Sequence, residues 1–137
     1  MLLSSFPGNQ SAKLGVKPGN FIIAINQPDN YFGLLNDLPA GAKFFQVEDN
    51  MMVDAIHIFA RSQQELIHEL FASKPLLKED GKLWIFYPKK ASRIRTDLDN
   101  NFLIRFAADI HLVNIQLVDF DVMWTGMEFR VKKYGSS

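Results

Sequence analysis

The chain has 137 residues, of which 47% are hydrophobic and 22% charged. One domain of that size removes roughly two thirds of its unfolded surface from water, so disordered, collagen-like and coiled-coil readings fit poorly. Lys and Arg total 15 against 15 Asp and Glu, and cysteine is absent; the first excludes a global field for nucleic acid or anionic membrane, the second excludes disulfides, thiolate nucleophiles and cysteine-type zinc sites.

Met1-Leu2-Leu3 gives way at once to Ser4, Ser5, Pro7 and Gly8, too short an apolar stretch for a signal peptide. No apolar run approaches the roughly 18 to 20 residues of a membrane-spanning helix, so a cytoplasmic protein with no membrane association is expected. Residues 1 to about 12 and the tail 135–137 are small and polar and are expected to fray. What remains is one α/β domain over 1–137, with an ordered core at about 13–134.

Residues 21–25, behind the breaker pair Pro18-Gly19, form a short apolar run that predicts a strand buried on both faces. Asp29-Asn30 then offers side-chain oxygens to cap a short helix to about Leu38, stopped by Pro39 and Gly41. A second strand is predicted over 43–47 and a third, again of the buried type, over 55–60. Ser62-Gln63-Gln64-Glu65 has the capping-box pattern, with Leu66, Ile67, Leu70 and Phe71 at helical spacing behind it, and that helix should end near Pro75. A tight turn at Asp80-Gly81 leads into a fourth buried strand that Pro88 ends. Thr96-Asp97 is the expected cap of a third helix, whose buried side is supplied by Leu98, Phe102, Ile104, Phe106 and Ala107. Val113, Ile115 and Leu117, then Met127, Phe129 and Val131, alternate with polar residues at period two and predict an antiparallel pair.

Strands that are apolar on both faces need helices above and below the sheet. With right-handed crossovers, the element order predicts a Rossmann-like three-layer α/β sandwich whose mostly parallel six-stranded sheet runs 2-1-3-4-6-5, the last strand antiparallel. That order resembles the methyltransferase-like branch of Rossmann folds after loss of one outer helix and strand, and LLKEDGKLWIFYPKK over 76–90 is similar to the late strand of those enzymes. Lys13-Leu14-Gly15-Val16-Lys17-Pro18-Gly19, Tyr87-Pro88-Lys89-Lys90 with Ser92, Thr96-Asp97-Leu98, and Trp124 before Phe129-Arg130 together resemble an uncharacterised bacterial family of small domains of unknown function, over about residues 13–133. The resemblance implies no reaction, substrate or catalytic residue. Ala91 between Lys90 and Ser92, and Ile94-Arg95 after them, depart from the pattern.

A Rossmann nucleotide site needs a glycine-rich turn after the first strand so that a ligand can approach main-chain amides. Here Asn26-Gln27-Pro28-Asp29-Asn30 stands in that place, with no glycine between Gly19 and Gly33. Pro28 removes a donor and Asp29 repels an anion. Glu48 and Asp49, about 20 residues on, fall where a carboxylate would hold ribose hydroxyls, so one half of a cofactor site could survive there. The alternative for Glu48-Asp49-Asn50 is a solvated turn. Asn26, Glu48 and Asp49 are therefore the candidate cofactor-binding residues, although the sequence requires no particular cofactor.

Lys89, Lys90, Arg93 and Arg95 lie within seven residues with no acid among them, after a central strand and hence at the expected ligand crevice. Ser92, Thr96 and the amides of the following helix can join them around a phosphate or carboxylate. Tyr87 and Trp124 add aromatic faces. The alternatives are a solvated loop and plain core packing. Four basic residues on a neutral chain make a modest footprint, so nucleic acid is disfavoured. His57, His68 and His111 have no metal-ligand spacing, Ser62 and Ser92 lack a nucleophile elbow, and no catalytic residue is assigned.

Three functions are carried forward. The first is a non-catalytic or degenerate Rossmann-like module binding a small anionic ligand or a protein partner through Tyr87, Lys89, Lys90, Ser92, Arg93, Thr96 and Trp124. The second is a small adenosine-cofactor transferase of the S-adenosylmethionine type, with the carboxylate at Glu48 or Asp49. The third is a structural domain, monomer or homodimer, dimerising through an edge strand.

Overall fold

Residues 10–132 are described by a computed structural model. The elements run α1 (Gln10–Lys13), β1 (Phe21–Ile25), α2 (Tyr31–Leu34), β2 (Lys43–Phe45), β3 (Val53–Phe59), α3 (Gln63–Ser73), β4 (Leu77–Pro88), α4 (Asn100–Asp109), β5 (Leu112–Asp119) and β6 (Trp124–Val131). They build one six-stranded sheet of order β2-β1-β3-β4-β6-β5. Pairs β1/β2, β1/β3 and β3/β4 are parallel, while β6 runs antiparallel to both β4 and β5. The expected strand order and the reversed final strand are both present.

The two faces of the sheet are covered differently. On one, Ile23, Ile56, Ile58, Leu83, Ile85 and Phe129 pack against Leu66 and Leu70 of α3 and Leu103 and Ala107 of α4, the aliphatic packing that parallel strands require. On the other, α1 and α2 are single turns. Bulk there comes from aromatic side chains: Tyr31, Phe59, Trp84, Phe86, Phe120 and Trp124, all buried. Rings large enough to fill a layer take the place of a longer helix on this face. Gly126 is part of this fit, because a Cβ there would lie 2.7 Å from Phe86 Cε1.

Several boundaries differ from the sequence expectations, each for a local reason. The expected fraying of 1–9 and of the tail falls outside the described residues, but Gln10 and Ser11 are buried in α1. Gln10 Nε2 donates to the Phe120 carbonyl at 2.8 Å and Ser11 Oγ to the Asp37 carbonyl at 3.0 Å, so polar side chains enter the core already paired. The helix expected to reach Leu38 ends at Leu34, and Asn30 makes no side-chain cap. Strand β2 stops at Phe45, and Val47–Asp49 forms a 3-10 turn. Asp80 and Gly81 lie inside β4, where Val53 pairs with Leu77 and Ala55 with Lys82. Two steps along β3 thus face five along β4, a bulge that Gly81 permits because an added Cβ would sit 2.5 Å from Leu77 Cδ1. Helix α4 is capped by Asp99, whose Oδ1 accepts from Phe102 N at 2.8 Å, and not by Thr96-Asp97. Asp97 instead accepts from Gln63 N at 2.7 Å, so this acid of the basic loop caps α3.

Candidate functional site

In an open parallel sheet the ligand crevice lies outside the carboxyl ends of the strands, where consecutive strands depart to opposite sides. Here β2 lies on one side of β1 and β3 on the other. Asn26 and Gln27 leave β1 at this edge, Gln46 to Glu48 leave β2, Arg61 leaves β3, Lys89 and Lys90 leave β4, and Trp124 opens β6 opposite Pro88. Three of the clefts among the described residues at this edge contain the candidate residues.

The first cleft, of about 560 Å³, lies over the ends of β1 and β2 and is lined by Asn26, Gln27, Phe44, Gln46, Glu48 and Glu69, among others. Its charged lining residues are both acids. The turn that carries Asn26 has the left-handed φ of 57°, a conformation ordinarily supplied by glycine and, among other residues, best tolerated by Asn and Asp. The sharp turn after β1 is therefore made without glycine, and Asn26 Nδ2 ties it to α3 by donating to Glu65 Oε2 at 3.3 Å. Glu48 lines this cleft. Asp49 does not; its carboxylate accepts from Gln46 N at 2.8 Å and closes the 3-10 turn.

A smaller cleft of about 250 Å³ continues from the first, sharing Asn26 and Gln27 and adding Phe59, Arg61, Glu65 and Trp124. The Arg61 guanidinium carbon lies over the Trp124 ring, 5.9 Å from its centroid, within cation–π range. Trp124 is itself buried against Phe59. It belongs to this cleft and not to the basic loop with which the sequence reading grouped it.

The third cleft, of about 690 Å³, brings together Tyr87, Lys89, Lys90 and Thr96 with Asp99 and Asn100. Ser92 and Arg93 are not among its lining residues. Lys89 is ion-paired with Asp119. Ser92 Oγ donates to the Lys89 carbonyl at 2.6 Å and accepts from Ile94 N at 3.2 Å, while Thr96 Oγ1 accepts from Leu98 N at 3.0 Å. Both hydroxyls expected to serve an anion thus shape the loop. Arg93 is exposed with a φ of 63°. Tyr87 donates its O–H to Asn100 Oδ1, and burial, together with the Asp99 carboxylate, pushes its phenol up to about 12, so it remains a donor at neutral pH.

Acids elsewhere on this edge are engaged. Asp121 Oδ1 accepts from Met123 N and Trp124 N, both at 2.8 Å, and Glu65 Oε1 accepts from Arg61 N at 2.8 Å. His57, in the middle of β3, faces the aromatic layer, with Tyr31 Oη 2.6 Å from its Nδ1. Sequence reasoning did not single out Gln46 or Arg61. The signal that finds both is the strand-end rule, since each lies within two residues of the end of a parallel strand.

No protein-family model matches the chain, and no curated protein shows significant similarity to it. Solved structures of the same architecture do match. A SAM-dependent methyltransferase from Aquifex aeolicus aligns with a TM-score of 0.62 at 15% identity, covering 93% of this chain and 90% of that one. The ribosomal protein L11 methylase of Lactobacillus delbrueckii subsp. bulgaricus aligns at 0.64 and 11%, over 90% and 75% of the two chains. The release-factor-specific protein-(glutamine-N5) methyltransferase of Alicyclobacillus acidocaldarius subsp. acidocaldarius aligns at 0.56 and 9%, over 93% and 91%. These likenesses show a methyltransferase-like Rossmann fold.

Proposed function

We propose that this chain binds S-adenosylmethionine in the cleft over β1 and β2 and acts as a small methyltransferase. The observation that carries the proposal is Glu48, placed by the end of β2 in a cleft of about 560 Å³ opposite Asn26 and Gln27, with no basic residue in its lining. That volume lies within the usual range for small-molecule sites, roughly 300–1,000 Å³. The donor set fits the cofactor. A carboxylate accepts from vicinal hydroxyls, the side-chain amides of Asn26, Gln27 and Gln46 both donate and accept, and Phe44 supplies an apolar wall. Acidic lining favours a cationic sulfonium nucleoside over a phosphate-bearing dinucleotide, which would face Glu48 and Glu69 without a compensating cation. The cofactor supplies an electrophilic methyl group when bound. The chain's own part is to bind and orient: Glu48 holds hydroxyls, and the Asn26 turn, tied to Glu65, sets the floor.

Calorimetry with S-adenosylmethionine and S-adenosylhomocysteine tests the reading. Glu48→Ala is expected to weaken both by about 10- to 100-fold, the worth of charged hydrogen bonds to a hydroxyl pair. No heat from the wild-type chain at millimolar ligand overturns it.

A second reading keeps the chain as a non-catalytic module with a small anion at the third cleft, supported by the meeting there of Tyr87, Lys89, Lys90 and Thr96. Lys90 makes no ion pair among the described residues. Under this reading a Lys89→Ala/Lys90→Ala double variant loses the thermal shift produced by an anionic ligand, and an unchanged shift removes the loop from function. A cytoplasmic location, a single ordered domain and kinship with the bacterial small-domain family are parts of the same proposal; the sequence blocks described above support the kinship.

A further inference from the structure

We infer that Arg61 is the carboxylate receptor of the site, the residue that selects an S-adenosyl amino acid over nucleosides lacking the acid group; this rests on the cofactor reading above. The first two clefts form one trough, because Asn26 and Gln27 line both. Its β2 end carries Glu48 and its β3 end carries Arg61. A ligand lying along it meets the Glu48 carboxylate toward one end and the Arg61 guanidinium, beside Glu65, toward the other, which matches a nucleoside whose ribose hydroxyls sit mid-molecule and whose amino-acid carboxylate ends the arm leading away from them.

Arg61 is also free to act. The carboxylate nearest in sequence, Glu65, is already used on both oxygens, by Arg61 N at 2.8 Å and Asn26 Nδ2 at 3.3 Å. No acceptor among the described residues takes a hydrogen bond from the guanidinium, and no acid pairs with it. Its position over Trp124 uses the charge against the ring face and leaves N–H donors for a planar carboxylate, a match that lysine cannot make. Trp124 is held by Asp121 Oδ1, which accepts its backbone N–H at 2.8 Å, so the platform is fixed before a ligand arrives.

The test compares S-adenosylmethionine with its decarboxylated form, which keeps the nucleoside, sulfonium and amine and lacks only the acid. By calorimetry the wild-type chain is expected to prefer the carboxylated ligand by about tenfold or more, and Arg61→Ala to erase that preference while holding the decarboxylated ligand to within about twofold. Arg61→Gln, which retains donors without charge, should fall between them, and unchanged melting temperatures show that both variants fold. If Arg61→Ala weakens both ligands equally, or neither, Arg61 does not read the carboxylate and the cofactor reading stands. If the wild-type chain binds neither ligand, both fall together.

Discussion

Phe86→Ala is expected to destabilise the protein by about 3–5 kcal/mol, the range for truncating a fully buried phenylalanine. Its ring stacks on Phe59 at a centroid separation of 4.4 Å and an interplanar angle of 13°, lies 4.8 Å from Phe120, and is parallel to within 16° to Trp84. The strand cannot close on the space left behind. Phe86 pairs across with Gly126, which has no side chain to swing inward, and the layer outside consists of single-turn helices and loops, with no continuous helix to settle. The unfolding midpoint in urea should drop with its slope unchanged, and the melting temperature should fall on the order of 10–20 °C. Phe71→Ala, at an exposed position of α3, serves as the contrast and should cost about 0.5 kcal/mol or less. Equal effects at the two positions would mean that the aromatic layer is not the second half of the core.

The second large effect comes from pH. His57 is fully buried, and burial lowers its pKa from the ordinary 6.5 to about 3. An unfolded chain takes up a proton on this ring near 6.5, whereas the folded chain does not until about pH 3. The neutral ring therefore contributes stability that is complete above about 6.5 and is lost as the pH falls through that interval. The slope approaches about 1.4 kcal/mol per pH unit, with an upper bound of roughly 4–5 kcal/mol across the window. Tyr31 is in no position to rescue the charged form, because burial holds its phenol well above its usual range and it stays a neutral partner. Nε2 has no partner among the described residues. Urea midpoints from pH 7 down to pH 4 should fall steeply for the wild type, and His57→Gln should flatten that limb by close to one proton even if it is less stable at pH 7. Parallel curves for the two proteins would assign the acid sensitivity to the carboxylates.

These two effects arise in the same layer, the one least visible from sequence. His57 sits at the centre of β3, and nothing in the run around it announces Tyr31 as its partner; the pairing follows from β1 and β3 being neighbours with α2 folded over them. The parallel core was legible. Residues 21–25, 55–60 and 83–87 are apolar at every position or nearly so, and such runs survive only in the middle of a covered sheet. Helix α3 was legible too, because Ser62 bonds Glu65 N within one turn and needs nothing remote. Errors gathered where a local pattern had a distant competitor. Asp97 had the spacing of a cap for the helix after it, yet its carboxylate went to Gln63, where the start of α3 lay closer in space. Asp80-Gly81 reads as a turn, yet β3 pairs on both sides of it and draws it into β4 as a bulge.

The candidate site divides in the same way. Glu48 could be named because a carboxylate about 20 residues beyond a first Rossmann strand falls at the tip of the second, a matter of counting. The absence of glycine after β1 was also plain in the sequence, but Asn26 reaching a left-handed turn and anchoring it to Glu65 was not. Arg61 carries no motif; it matters because the fold sets it over Trp124 from the far end of the chain and beside a trough that begins at Glu48. Apolar periodicity and spacing, joined to the right-handed crossover rule, were enough to predict the strand order, since burying strands on both faces is an additive demand that each segment expresses alone. Which polar groups meet at the carboxyl ends of the strands, and which are already spent on caps and ion pairs, was decided only by tertiary structure, because a hydrogen bond or a guanidinium over a ring depends on two distant segments arriving within a few ångströms of each other.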